Sequence, residues 1–179
     1  MDALEVAERY FRAHNSRDLD GVGALLTEDA EFELAGVWTI RGREQVLRLA
    51  QWDAALNTRL EPAELQAEGG TVSCRLTERN DWFRAVGIEE IRYERGELHM
   101  VGGRVARIRA VMDPEGFGAI AEVLGRITKW AKQACPDELS ALMPDGQFQY
   151  NGPNARRWLM LLARWCEARE SYDDRGGKG

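Results

Sequence analysis

Two residues that could carry acid–base chemistry share one helical segment of this sequence. Tyr10 and His14 are four residues apart, so one face of a helix presents both. A histidine can act as a base near neutral pH, and a tyrosine hydroxyl can donate a hydrogen bond to a developing oxyanion. A hydrogen-bonded place in the core is the alternative for each of them.

Arg79 and Asp81 form a second pair, two residues apart in a segment that alternates as a strand does. An aspartic acid can give or take a proton, and a neighbouring cation stabilises its charge. Val72, Cys74 and Leu76 have the opposite parity and share the other face of the strand. Alternation alone therefore directs the apolar row to the core and leaves Arg79 and Asp81 in solvent.

The sequence contains no recognisable pattern for a metal site or a cofactor site. The thiols of Cys74, Cys135 and Cys166 are far apart, and His14 and His99 are the only histidines. Such spacing predicts neither a zinc site nor a disulfide framework. No phosphate-binding loop, dinucleotide fingerprint or G-x-S-x-G element is present, so we expect no cofactor and no metal.

Composition narrows the possible partners. The chain has 179 residues, a net charge of −6 and scattered arginines, which disfavours nucleic-acid binding because that affinity needs concentrated positive charge. No apolar run approaches the length of a membrane span, which is about 18 residues. The first residues are acidic where a signal peptide would be basic, so we expect a cytoplasmic protein.

The hydrophobic pattern predicts an α+β chain. Helical spacing predicts helices at about 2–14, 18–26 and 43–56, and alternation predicts strands at 30–34, 59–67, 71–81, 88–101 and 105–112. Residues 36–42 are expected to form a loop and 82–87 a short helical turn, while Pro62 places its strand at a sheet edge. We expect one domain over 1–114, a helical extension over 115–172 with an apolar stripe from Trp158 to Trp165, and a disordered tail over 173–179.

Several short motifs carry a family resemblance. They are Tyr10-Phe11-Arg12-Ala13-His14-Asn15, Asp18-Leu19-Asp20-Gly21, Glu28-Asp29-Ala30, Arg41-Gly42-Arg43-Glu44 and Gly103-Arg104-Val105. With the element order, they resemble the nuclear transport factor two-like superfamily, in its SnoaL-like branch, over residues 3–114. The resemblance implies a cone in which a curved antiparallel sheet and three helices enclose a pocket. It also implies a homodimer that pairs through the sheet.

Limonene epoxide hydrolase, a member of that branch, resembles the chain most specifically at Thr77-Glu78-Arg79-Asn80-Asp81. The resemblance implies that Asp81 is the catalytic acid, that Arg79 is its positioning cation, and that both face the pocket. This is the reverse of what alternation indicates, and a bulge could reconcile the two. The family's second aspartate falls on Ala110, and its water-binding tyrosine and asparagine fall on Phe32 and Leu34.

Ketosteroid isomerase, from the same branch, supplies a second comparison. Tyr10 falls on its oxyanion-binding tyrosine, whereas its general base falls on Leu34. His14, one turn beyond Tyr10, is expected at the pocket mouth. A pocket with aromatic walls is expected from the large apolar side chains, with a filled core as the alternative; the expected substrate-binding residues are Phe32, Leu34, Trp38, Trp52, Trp82, Phe83, Ala110 and Met112.

These features predict a cofactor-independent SnoaL-like enzyme that performs acid–base chemistry on a hydrophobic, oxygenated small molecule. Isomerase, cyclase, dehydratase and hydrolase reactions all remain open, because a fold does not choose among reactions. Two alternatives remain: a non-catalytic binding module, and an interaction protein that dimerises through its tail helices.

Overall fold

The computed structural model describes the backbone of residues 2–176 and the side chains of residues 2–169. Its elements, in chain order, are α1 (Ala3–Asn15), α2 (Leu19–Leu25), β1 (Leu26–Leu34), β2 (Trp38–Arg41), α3 (Arg43–Ala55), β3 (Arg59–Glu68), β4 (Thr71–Arg79), α4 (Asp81–Ala85), β5 (Ile91–Val101), β6 (Arg104–Met112), α5 (Pro114–Ala134), α6 (Pro136–Leu142), a 3-10 turn (Pro144–Gly146) and α7 (Gly152–Gly176).

The six strands form one sheet in the order β2-β1-β6-β5-β4-β3. Strands β3 to β6 are an antiparallel meander, and β1 joins it by running parallel to β6. Register shifts interrupt these four pairings, and such irregularities bend a sheet. The predicted α+β fold with a curved, mainly antiparallel sheet is confirmed.

The segment 36–42, predicted as a loop, contains strand β2, which pairs with β1. The prediction of a loop was wrong because the strand has only four residues between a turn and a helix, too few to show alternation. Gly42 then has φ 92°, a left-handed conformation that favours glycine, and the chain turns there into α3.

Side-chain oxygens cap the helices where the sequence indicates. Asp2 accepts from the backbone N–H of Glu5 at the start of α1, and Asp18 accepts from that of Gly21 at the start of α2. These contacts satisfy backbone donors that have no partner inside the helix. Asn80 caps α4 in the same way, and this cap ends strand β4.

The buried apolar residues form two clusters. The first lies between α1, α2, α3 and the sheet, and it contains Val6, Ala7, Phe11, Val22, Leu26, Leu98 and Val105. The second lies between α3, α4 and the C-terminal helices, and it contains Trp52, Trp82, Phe83, Ile91, Ile127, Trp158, Leu161, Leu162 and Trp165. The second cluster joins the C-terminal extension to the rest of the chain.

Helix α7 buries the apolar stripe that the sequence predicts, and it packs against α3 and α4 of the same chain. It continues to Gly176, into the segment expected to be a disordered tail, and residues 177–179 lie outside the described residues. Within residues 2–176, no helix combines the length and apolarity needed to cross a membrane.

The face of the sheet opposite the helices carries ion pairs across strands. Arg41 pairs with Glu31 at 2.8 Å, and Arg107 pairs with Glu33 at 2.6 Å. The hydrogen bond from Arg107 is the main cause that lowers the pKa of Glu33. This face is therefore polar, with alternating charges.

Strand β3 lies at the edge of the sheet, as Pro62 predicts. One side chain, that of Asn15, binds both the N–H and the carbonyl group of Leu60 on this edge. The Asn15 amide donates to the Leu60 carbonyl at 2.7 Å and accepts from the Leu60 N–H at 2.8 Å. This pair of bonds fixes the end of α1 against the sheet. A register shift follows between Ala63 and Gln66, with Glu64 at φ 56°.

Candidate active site

A cavity of about 70 Å³ lies between α1, α3 and the concave face of the sheet. Its wall is mainly apolar and includes Phe11, Phe32, Val46, Leu49, Leu98 and Ile108. Polar residues also line it, among them Tyr10, His14, Asp53, Glu78 and Tyr93. An apolar cavity with a few converging polar groups is typical of a small-molecule site.

His14 and Asp53 form a hydrogen-bonded pair on this cavity. The buried face of α1 presents His14, and α3 presents Asp53 one turn after Leu49 and Ala50. Nε2 of His14 lies 3.0 Å from Oδ2 of Asp53, and the two side chains are only 5% and 19% exposed. A carboxylate accepts but does not donate, so Nε2 carries the proton. Nδ1 is buried without a protein partner and is free to accept a proton in the neutral ring.

Glu78 is the second carboxyl group on the cavity. Its Oε2 accepts from the Tyr93 hydroxyl at 2.6 Å, and its Oε1 accepts from the Asn80 amide at 2.8 Å. Burial, followed by the nearby charge of Asp53, raises the pKa of Glu78 to about 7, against the lowering effect of those two bonds and of His14. A carboxyl group with such a pKa can give or take a proton near neutral pH.

The tyrosines of the cavity stay protonated. Burial is the main cause that raises the pKa of Tyr10, and burial together with the charge of Glu78 raises that of Tyr93 well above its usual value. The Tyr10 phenol can therefore donate a hydrogen bond to an oxygen atom in the cavity, whereas the Tyr93 phenol already donates to Glu78. The arrangement as a whole offers a proton acceptor, a titrating carboxyl group and a phenol donor around an apolar space.

The structure brings Tyr10 and His14 to the cavity but not Arg79 or Asp81. Arg79 is exposed on the opposite face of β4, where it bonds to Glu61 at 2.6 Å and also to Glu90. The inward row of β4 runs through Val72, Cys74 and Leu76 to Glu78, as alternation indicated and the resemblance did not.

Asp81 lies outside the cavity because the strand has ended before it. It is the first residue of α4, accepts from the Asn57 amide at 2.6 Å, and pairs with Arg84 at 3.2 Å. The carboxyl group that the resemblance placed in the pocket at Asp81 is therefore not on the cavity, whereas that of Glu78 lines it.

The expected substrate-binding residues divide between the cavity and the second cluster. Phe32 and Ala110 line the cavity, and Trp38 stacks on Phe32 with ring centroids 5.5 Å apart. Leu34 pairs with Trp38 in the ladder and is not part of the lining. The remaining four, Trp52, Trp82, Phe83 and Met112, pack in or against the second cluster.

Sequence reasoning missed Asp53, Glu78 and Tyr93, although their positions carried a signal. Asp53 is seven residues after Val46, so both lie on the buried face of α3. Tyr93 is the register partner of Leu76, and both line the cavity.

Among residues 2–169, no group of three His, Cys, Asp or Glu side chains is arranged to hold a metal ion.

The chain is a small α+β protein with a cavity between its sheet and helices, and residues 7–117 match the family model of the SnoaL-like domain. The chain belongs to the SnoaL-like domain family. The match ends near the start of α5, so α6 and α7 lie beyond it. No functionally curated protein matches the chain significantly.

Solved structures with the same fold include named enzymes. A candidate ketosteroid isomerase from Kribbella flavida DSM 17836 is 26% identical, with a TM-score of 0.54 over 62% of this chain and 77% of the other. An LEH-like epoxide hydrolase from M. tuberculosis is 20% identical, with a TM-score of 0.56 over 71% and 95%. The epoxide hydrolase/cyclase-like enzyme SalBIII, of salinomycin pyran ring formation, is 19% identical, with a TM-score of 0.57 over 64% and 92%.

Proposed function

We propose that this protein is an enzyme that performs acid–base chemistry on a small, hydrophobic, oxygenated molecule. The observation that carries the proposal is the pairing of Glu78, whose pKa is raised to about 7, with the His14–Asp53 pair on one apolar cavity. A carboxyl group poised near neutral pH in a water-poor site is typical of general acid–base catalysis.

In the proposed reaction, Nδ1 of His14 takes a proton from a carbon next to the substrate's carbonyl group. Asp53 holds the ring and stabilises the imidazolium that forms. Neutral Glu78 or the Tyr10 hydroxyl donates a hydrogen bond to the carbonyl oxygen, on which negative charge develops. Return of the proton to another carbon completes an isomerisation, so the substrate is neither oxidised nor reduced.

The residues of the cavity supply both the acceptor and the donor that these steps need, so the proposed reaction requires no cofactor. The names of similar structures include an isomerase, an epoxide hydrolase and a polyketide cyclase, and all three reactions can begin with proton transfer at or near oxygen. This range supports the reaction class and leaves the substrate open.

Deuterium uptake tests the proposal directly. The protein is incubated with 3-cyclohexen-1-one in D₂O, and deuterium in the recovered ketone and in its conjugated isomer is measured by mass spectrometry. We expect uptake above the buffer rate, and a loss of roughly 100-fold or more in Glu78→Gln and in His14→Gln, because each removes a group that transfers a proton or stabilises charge. Asp81→Asn, a carboxylate outside the cavity, is the matched control and should retain the rate.

One outcome would contradict the proposal. Binding of the ketone without any protein-dependent deuterium uptake would favour the non-catalytic binding module.

The alternative of an interaction protein that dimerises through its tail helices loses its motivation. The apolar stripe from Trp158 to Trp165 is buried within the chain itself.

A further inference from the structure

A segment of the C-terminal extension lies against the aromatic wall next to the cavity. Between the 3-10 turn and α7, the chain alternates: Gln147 and Gln149 are exposed, while Phe148 and Tyr150 are partly buried. The buried Asn154 of α7 holds this segment, because its amide donates to the Gln149 carbonyl at 3.2 Å. The segment is therefore anchored to the helix that follows it.

Tyr150 is at the centre of an aromatic group. Its ring centroid lies 5.1 Å from that of Trp38 and 5.2 Å from that of Trp52, and its ring stacks on Phe148 at 5.8 Å. Trp38 in turn stacks on Phe32, which lines the cavity. One aromatic layer thus separates Tyr150 from the cavity.

The hydroxyl of Tyr150 contacts Trp38 and is influenced by the charged groups of the candidate site. It accepts a hydrogen bond from the indole N–H of Trp38. Burial is the main cause that raises its pKa, and the charges of Asp53 and Glu78 raise it further. The phenol therefore lies within electrostatic reach of both carboxyl groups of the site.

We propose that Tyr150, held in place by Phe148 and α7, supports the Phe32–Trp38 wall that closes the cavity and thereby limits the substrate to a single small ring. This inference rests on the proposed function, since it concerns the substrate of the same site. The cavity of about 70 Å³ is small beside ligand pockets, which commonly reach several hundred Å³, on the order of 300 Å³ or more. The supporting residues belong to the part of the chain beyond the family match, so the size limit depends on the extension.

Two saturated ketones of different size test the limit without any turnover. Calorimetry measures the binding of cyclohexanone and of trans-1-decalone to the full chain, to Tyr150→Ala and to Tyr150→Phe. Met160→Ala, an exposed side chain of α7, is the matched control. In the original chain and the control, cyclohexanone should bind and decalone should bind at least roughly tenfold more weakly, because the second ring has no space.

Removing the phenol ring should reduce or abolish that difference. In Tyr150→Ala we expect decalone to bind at least roughly tenfold more tightly than in the original chain, because Trp38 can move into the vacated space and the second ring can then bury apolar surface. Tyr150→Phe keeps the ring and should keep the original order. If Tyr150→Ala is not folded by circular dichroism, Tyr150→Leu replaces it, with the same direction and a smaller gain.

Unchanged size preference in a folded Tyr150→Ala or Tyr150→Leu protein would overturn the inference. Binding of neither ketone to any variant would overturn it as well. The size preference is measured by binding alone, independently of the deuterium-uptake experiment. Failure of deuterium uptake would contradict the proposed catalysis, and ketone binding could still be measured.

Discussion

The carboxylate of Glu78 accepts a hydrogen bond from the Tyr93 hydroxyl at 2.6 Å, between two neighbouring strands on the concave face of the sheet. Both side chains line the cavity. The bond stabilises the ionised form of Glu78, yet burial outweighs it and the pKa stays near 7. Ionising Glu78 in the folded protein is therefore costly, and the effect of pH on stability should reveal it.

Glu78→Gln should remove this pH dependence. Its pKa is about 7 in the folded chain against 4.5 ordinarily, so below about pH 4.5 the group is neutral in both the folded and unfolded states. As pH rises from there through 7, ionisation favours the unfolded state, and the original chain loses up to about 3 kcal/mol of its free energy of unfolding relative to the variant. Urea denaturation between pH 4 and 9 measures the difference. Glu94→Gln, an exposed neighbour of Tyr93, should show no such trend; parallel curves for Glu78→Gln and the original chain would contradict the pKa assignment.

Asp53→Asn should lower the pKa of Glu78 below about 7. Burial remains the main cause of the raised value, but the charge of Asp53 is the second, and the amide removes it. A carbon-13 NMR titration of the labelled glutamate carboxyl groups, assigned with Glu78→Gln, measures the midpoint. A midpoint that rises or stays constant would mean that the two carboxyl groups do not interact.

Asp81→Asn should change little. Asp81 is partly exposed, and its contacts are with Asn57 and Arg84 at the start of α4. Exposed pairs of this kind contribute about 1 kcal/mol or less, so the free energy of unfolding should change by no more than that. Deuterium uptake should be retained. A large loss of activity with normal stability would return the catalytic acid to Asp81 and remove Glu78 from the mechanism.

Trp158→Ala should destabilise the whole chain by about 3–5 kcal/mol, because it leaves a cavity in the second cluster. The residue is fully buried and stacks on Phe148 at a centroid distance of 5.0 Å. Met160→Ala, two positions further along the same helix but 58% exposed, should change the free energy of unfolding by no more than about 0.5 kcal/mol. Equal effects at the two positions would mean that α7 packs differently.

A homodimer that pairs through the sheet remains a prediction, and the polar face gives it a specific signature. Pairing through a surface of alternating charges such as Glu31, Glu33, Arg41 and Arg107 would weaken with salt, since exposed charges are screened. Light scattering should then give twice the chain mass of 20.2 kDa at low salt and a smaller mass at about 1 M salt. A mass of one chain under both conditions would exclude this dimer.

Most of the fold follows from the sequence because its helices and strands carry long periodic patterns with clear caps. Asp2 and Asp18 cap helices at the starts that helical spacing predicts, and Pro62 lies on the edge strand as predicted. Strand β2 could not be found this way, since four residues next to a turn show no period. The role of α7 followed only in part: amphipathicity indicates that a face is covered, but not that α3 and α4 cover it.

The site was harder to predict, because a shift of one residue in a strand moves a side chain to the other face. Alternation from Val72 leads to Glu78, whereas the motif resemblance led to Arg79 and Asp81. Asp53 could also have been predicted, because it is a polar residue on the buried face of α3. No local sequence pattern predicts that Asp53, His14 and Glu78 lie close together. Their proximity depends on how α1 and α3 cross the sheet.

The amide of Asn15, bound to both backbone groups of Leu60, has a consequence for the protein in solution. An open sheet border is where a foreign strand would add, and unprotected borders promote aggregation. Here that border is closed by Asn15, by the missing N–H of Pro62 and by the irregular backbone at Glu64. We therefore expect the edge of β3 to resist the addition of a foreign strand, and Asn15, which protects it, directly follows His14 of the candidate site.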